Sequence, residues 1–205
     1  MIYSEMHNSM LKNSFLKVFR CSITFLLVSA FAPMYTLSAQ IVYKVNLSGN
    51  SIQINGTSNL HEWDSKVQAV TGNLTAITDE TVLKQLSQVT IKIPVISIKS
   101  GKGIMDTKTY EALKSDKYPT ISYQSSSNNL SGSNEITSNG QLTMAGVSKP
   151  KLLKVTYVLK DKKITIKGAI KMKMSDFDIK PPTAIFGTLK TGDEVEIVFD
   201  VSFIQ

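Results

Sequence analysis

One cysteine, one arginine, one tryptophan and two histidines occur in 205 residues, and each scarcity removes a class of chemistry. Cys21 has no partner for a disulfide, so the core must be stabilised by apolar burial alone. Cys21 and His7 both lie near the N-terminus, which leaves His61 as the lone imidazole further along. Multi-histidine metal sites, four-cysteine zinc sites and cysteine–histidine nucleophilic pairs therefore cannot be assembled within the remaining chain. The sequence predicts no metal, no cofactor and no enzyme. Arg20 is the single arginine, so the net charge of +7 is carried by lysine, without the guanidinium fork that recognises phosphate or guanine bidentately. No nucleic-acid partner is expected.

What is present begins with an export signal. Lys12, Lys17 and Arg20 precede the apolar stretch Cys21 to Ala32, and the small residues Ser38 and Ala39 follow, the order of a cleaved secretory signal. Twelve apolar residues are too few to span a bilayer, which needs about 20. A lipid-anchored protein would carry cysteine directly after that stretch, whereas Cys21 opens it. The expectation is removal of residues 1–39, a single domain over 40–205 and a periplasmic location.

From Gln40 onward the dominant pattern is alternation. Ile164, Ile166, Gly168, Ile170, Met172 and Met174 share one phase, and Thr165, Lys167, Ala169, Lys171 and Lys173 the other, which predicts a long half-buried strand. Val195, Ile197, Phe199, Val201 and Phe203 repeat the pattern at the C-terminus. Further strands are expected at 43–47, 51–54, 66–76, 89–98, 120–124, 135–146 and 152–159. Asn55-Gly56, Asn139-Gly140, Asp161-Lys162 and Gly192-Asp193 read as turns. Pro94 falls where the apolar phase slips, predicting a bulge or bend. Helices are expected at 80–88 and 104–117, the second capped by Asp106 or Thr107 and ended by Pro119. Many antiparallel strands with one or two short helices make an all-β fold. A lipocalin-like antiparallel barrel of about eight strands is favoured over a sandwich, its interior either solid or holding one small ligand.

The chemistry-bearing motifs are weak. His61 in Leu60-His-Glu-Trp-Asp64 lacks a second ligand and suits a hydrogen-bonded turn beside Trp63. Ser100-Gly-Lys-Gly103 lacks the spacing of a phosphate loop, although amides at the following helix start could receive an anionic head group. Asp79-Glu80, Asp176/Asp178 and Asp193-Glu194 read as turn, cap and cross-strand charges rather than acid–base pairs. Lys167, Lys171 and Lys173 form a solvated outer stripe that also suits transient contact with an anionic membrane surface.

Several segments in order resemble the YceI-like family of exported, lipocalin-like proteins associated with binding polyisoprenoid and other long-chain lipids. They are Gly56-Thr-Ser-Asn-Leu-His-Glu-Trp63, Val89-Thr-Ile-Lys-Ile-Pro-Val-Ile-Ser97 and the run from Tyr110 to Tyr123. Gly140-Gln-Leu-Thr-Met-Ala-Gly-Val-Ser-Lys-Pro150, Met174-Ser-Asp-Phe-Asp-Ile179 and Gly192-Asp-Glu-Val-Glu-Ile197 complete the set. Ala145 departs from the family, which often has histidine there. The resemblance implies a barrel whose lumen holds an isoprenoid tail. Combined with the inward phase it points to Tyr123, Met144, Ile166, Ile170, Met172 and Phe199 as lining, with Trp63, Tyr110, Phe177 and Phe186 near the mouth. Two rival readings are a small eight-stranded outer-membrane barrel and an enzyme acting on a lipid.

Overall fold

A computed structural model describes residues 39–46, 48–132, 134–184 and 187–205. The expected signal segment, apart from Ala39, and Phe186 lie outside them. Alternating side chains produce the strands β1 (Ile41–Val45), β2 (Ser51–Ser58), β3 (Glu62–Val67), β4 (Thr71–Asp79), β5 (Val82–Pro94) and β6 (Ile98–Lys99). The helix α1 (Gly103–Ala112) follows, then β7 (Thr120–Ser131), β8 (Glu135–Met144), β9 (Val147–Lys160), β10 (Lys163–Lys173), β11 (Thr183–Ala184) and β12 (Leu189–Ile204). β1 and β2 run antiparallel along the same edge of β12, with Val45 opposite Phe203 and Ile52 opposite Phe199, so they are two halves of one interrupted strand. β4 and β3 follow β1 and β2 in the same way, and β5 and β6 follow them in turn. With β7, β8, β9, β10 and β12 these make eight strands, each bonded to its neighbour in sequence, and the contact of β12 with β1 and β2 closes the ring.

The face assignment of β10 holds along its length. Ile164, Ile166 and Met172 are buried while Lys163, Lys167, Lys171 and Lys173 are exposed. Outside, Lys167 meets Asp200 at 2.7 Å and Lys171 meets Glu196 at 3.8 Å across the β10–β12 ladder, as the charge pattern anticipates. Apolar inside and charged outside is the reverse of an outer-membrane barrel. Tyr43, Leu74, Ile136, Ile164 and Phe203, each at most 1% exposed, pack the end of the barrel near the C-terminus.

Several sequence expectations are corrected. Residues 80–88 form no helix; they turn into β5. Leu83, Leu86 and Val89 are buried at a spacing of three because two register shifts against β4 each insert an extra residue, turning the strand period of two into an apparent helical one. Asn55-Gly56 and Asn139-Gly140 lie within β2 and β8 and are not turns. A Cβ on Gly56 would fall 2.2 Å from Cζ2 of Trp63, and one on Gly140 would fall 2.6 Å from Cζ of Tyr123. Each glycine is the flat place on which an aromatic ring crosses the neighbouring strand. Gly192-Asp193 sits at an irregularity inside β12. Asp161 and Lys162, both at positive φ, do form the tight β9–β10 turn. Pro94 ends β5 before the 3-10 turn Val95–Ser97, which produces the expected bend. α1 ends at Ala112, short of 117, and no side chain caps its start; Asp106 instead accepts hydrogen bonds from Ser100. β7 runs to Ser131 through most of the serine- and asparagine-rich stretch 125–134, and the β7–β8 hairpin turns at its end.

One stretch of wall has no ladder. β9 pairs with β10 only between Thr156–Lys160 and Lys163–Lys167, although both strands continue toward the other end of the barrel. The 3-10 turn Met174–Phe177 packs against both strands at this end, with Phe177 fully buried.

Candidate functional site

Where the inward side chains are too short to meet, the barrel leaves a lumen in two compartments. The outer one, about 490 Å³, is bounded by the β2–β3 turn, α1 and the residues Pro182, Thr183, Leu189 and Thr191. The inner one, about 160 Å³, lies among Val89, Ile136, Val155, Ile166, Phe199 and Val201. Ile54, Ile98, Ile121, Met144, Met172 and Ile197 border both, so the two lie in line along one tube. Methionine at the junction, unbranched and polarizable, is suited to repack around a variable tail.

Seven of the residues singled out from sequence stand on this wall. Trp63 faces the outer compartment, Tyr123, Ile166, Ile170 and Phe199 face the inner, and Met144 and Met172 touch both. The Trp63 Nε1 donates to the carbonyl of Thr57 at 2.9 Å, which fixes the ring at the mouth. The buried Tyr123 hydroxyl donates to the Ser138 carbonyl at 3.2 Å and lies 2.8 Å from its Oγ. Burial pushes its phenol above the ordinary value, the bonds to Ser138 and Ser125 opposing, so a neutral hydroxyl stands beside Ser138 deep in the tube.

Tyr110 and Phe177, expected near the mouth, are not among the lining residues of either compartment. The Tyr110 hydroxyl donates toward the carbonyls of Ile98 at 2.9 Å and Ile96 at 3.0 Å, and it accepts from Lys99 at 2.6 Å. It clamps α1 to the strand beside it. Phe177 is spent on the gap between β9 and β10, where Lys151 lies 5.7 Å from its ring centre and 3.7 Å from Asp176. The wall residues Ile54, Ser65, Ile121, Leu142 and Ile197 escaped selection. Ile197 and Leu142 share the inward phase of Phe199 and Met144, a signal available in the alternation. Ile54 shares the phase of Ile52 in β2, whereas Ser65 lies in β3, outside the strands expected from sequence.

At the mouth the apolar wall gives way to Ser58, His61, Lys102 and Lys108, and among the described lining residues there is no aspartate or glutamate. His61 Nδ1 sits 2.8 Å from the carbonyl of Glu62, a turn contact of the kind expected. The carboxylates that might have suggested acid–base work hold loops. Asp106 accepts from the Ser100 Oγ at 2.6 Å and amide at 2.7 Å, anchoring the approach to α1. Asp193 accepts from the Ser175 Oγ at 2.5 Å and amide at 2.8 Å, anchoring the Met174–Phe177 turn.

These serine bonds hold both carboxyls below the usual carboxylate range, Lys99 and Lys173 adding smaller effects of the same sign. A depressed folded pKa contributes stability that is present above the unfolded value, near 3.8, and is lost as pH falls through the folded one. The melting temperature is therefore expected to hold down to about pH 5 and to fall below about pH 4. In Asp106→Asn/Asp193→Asn the drop should be shallower and the protein less stable at neutral pH. Thermal melts across that range measure both, and an unchanged acid limb in the double variant would refute the assignment.

A closed antiparallel barrel of eight strands, apolar within and carrying a lumen, defines the lipocalin-like class of fold. The chain belongs to the YceI-like domain family, whose model matches residues 43–203. BcnA of Burkholderia cenocepacia superposes with a TM-score of 0.65 at 18% identity, covering 77% of this chain and 98% of that one. A polyisoprenoid binding domain from Saccharophagus degradans implicated in plant cell wall breakdown gives 0.62 at 11% identity, covering 79% and 97%. The YceI protein of Campylobacter jejuni gives 0.55 at 19%, covering 67% and 82%. A search of curated proteins by sequence gives no significant match.

Proposed function

We propose that this protein is an exported, non-catalytic carrier that holds an isoprenoid-type or other long-chain lipid with its tail along the barrel axis. The observation that carries the reading is the in-line pair of compartments, whose walls are mainly apolar along the tube and turn basic at the mouth. That arrangement matches an amphiphile, tail inward and head at His61, Lys102 and Lys108. The name of the Saccharophagus domain, which shares the fold, agrees with the isoprenoid class. The signal-like N-terminus supports export to the periplasm. A lipid-acting enzyme is less well supported, since Asp106, Asp176 and Asp193 all have structural partners. Turnover of a lipid abolished by His61→Ala would revive it.

The tube has a length that can be tested. From Thr191 at the mouth to Phe203 at the closed end, β12 covers about 30 Å at ~3.3 Å per residue and ~40° tilt. An isoprene unit advances four bonds of about 1.5 Å in zigzag, about 5 Å, so about six units fill the lumen. Affinity for isoprenoid alcohols is expected to rise with each unit and to level off near six. Titration with a graded series checks this, and mass spectrometry of an organic extract of detergent-free protein identifies the resident lipid, with the intact mass reporting cleavage near Ala39. Protein recovered empty that ignores the whole series would sink the carrier reading.

A further inference from the structure

The mouth carries the two most exposed large apolar side chains among the described residues, Ile104 at 78% and Leu60 at 66%. They come from different elements that border the same opening. Leu60 projects from the β2–β3 turn, next to His61 on the cavity wall, and Ile104 stands in the first turn of α1, itself on that wall. The turn that presents Leu60 is built: Ser58 Oγ donates to the His61 carbonyl at 2.8 Å and accepts from the amides of Leu60 and His61 at 3.2 and 3.1 Å. It is also tied to the opposite side of the mouth, where Asn59 accepts from the Lys190 amide through Oδ1 at 2.9 Å and donates to the Thr188 carbonyl through Nδ2 at 2.9 Å. Leu60 is thus held out in water by a hydrogen-bonded scaffold.

The charge around these two tips is mostly basic, with Glu62 the exposed acid beside the Leu60 turn. Lys102, Lys108 and Lys190 surround the opening. Lys108 is balanced by Glu111 at 2.7 Å, but Lys102 and Lys190 have no ion-pair partner within 4 Å among the described residues. Asp106, the acid of the first helical turn, faces inward onto Ser100. Isolated apolar tips on either side of a hole, ringed by unpaired lysines, lack the continuous apolar patch of a protein interface, which needs about 800 Å² per partner. They fit a bilayer, where single side chains enter the head-group layer and lysines meet anionic lipid.

We propose that the rim formed by Leu60, Ile104, Lys102 and Lys190 docks the barrel, mouth down, on the surface of a membrane containing anionic lipid. The proposal deepens the carrier reading and rests on it for its purpose, since docking places the lumen against the source and destination of its cargo. Two inserted side chains make a reversible contact, as a shuttling carrier requires.

Flotation with vesicles tests it. Wild-type protein is expected to bind vesicles of phosphatidylcholine with about one-third phosphatidylglycerol, to bind pure phosphatidylcholine at least tenfold less, and to release in high salt. Leu60→Ser/Ile104→Ser and Lys102→Glu/Lys190→Glu should each lower binding at least tenfold with unchanged melting temperature, and Leu60→Ser/Lys190→Glu, at two residues outside the cavity lining, should do so with unchanged co-purified lipid as well. Leu152→Ser, an exposed apolar position on β9, is the control and should bind as wild type. No binding of wild type to the anionic vesicles, or equal binding by any of the double variants, overturns docking. Cargo lipid found in a protein that ignores vesicles leaves carriage standing without docking, and an empty protein that binds them does the reverse.

Discussion

Met172→Trp is expected to lower the affinity for a six-unit isoprenoid alcohol at least a hundredfold while leaving a folded barrel. Met172 is 7% exposed, stands opposite Val195 in the ladder and borders both compartments, so an indole there closes the junction and confines a tail to the outer chamber. Each buried CH₂ contributes about 0.8 kcal/mol, so shutting four carbons out of the inner chamber costs about 3 kcal/mol, more than two tenfold steps of about 1.4. Overpacking costs about 1–3 kcal/mol at a filled position, and here the ring has a cavity to enter. Met172→Leu, which conserves volume closely, should bind nearly as wild type. Titration with short and long alcohols separates the effects, because a two-unit alcohol that fits the outer chamber should be spared. Equal loss for both lengths would mean that the variant damages the mouth, and no loss for either would mean that tails do not pass this point.

What could be read from sequence follows the range of the interactions involved. The phase of β10 is a local property, because each lysine must reach water while the next residue faces the lumen, and its pairing with the acids of β12 follows from that phase. Met144, Met172 and Phe199, which share that inward phase, border the compartments. Tyr110 and Phe177 depend on long-range geometry. Nothing local says that Tyr110 must satisfy the carbonyls of Ile96 and Ile98, or that the barrel lacks a ladder where Phe177 lies. The glycines misled for a related reason. Asn-Gly is a turn signal when the chain alone is considered, but at Gly56 and Gly140 the missing Cβ answers to the ring of a neighbouring strand. In β5 the extra residues Lys84 and Ser87 are bulges that exist only relative to β4, and without that partner the burial of Leu83, Leu86 and Val89 has a helical period.

Phe177→Ala is expected to be the most destabilising single substitution in the wall, because it removes side-chain packing where backbone pairing is already missing. Elsewhere around the ring a truncated side chain leaves the ladder intact. Here β9 and β10 stop pairing beyond Thr156 and Lys167, and the ring of Phe177, wholly buried, packs with Met144, Met172 and Ile179 in the apolar cluster that fills this end. The turn that delivers it depends on the same contact. Its anchors are Asp193 on Ser175 and the partly exposed pair of Lys151 with Asp176, and a pair open to solvent contributes about 1 kcal/mol. Deleting a buried phenylalanine costs about 3–5 kcal/mol. At about 2–4 °C per kcal/mol for a domain of this size, the melting temperature should fall by about 6–20 °C. Phe177→Leu should recover much of that loss. The inner compartment reaches Lys151 at this seam, so amides of β9 and β10 beyond the paired region should exchange with solvent much faster in Phe177→Ala, while those between Lys163 and Lys167 stay protected. A fall of less than about 1 kcal/mol, with exchange unchanged, would show that the hydrogen bonds of the turn, and not the ring, hold the two strands together.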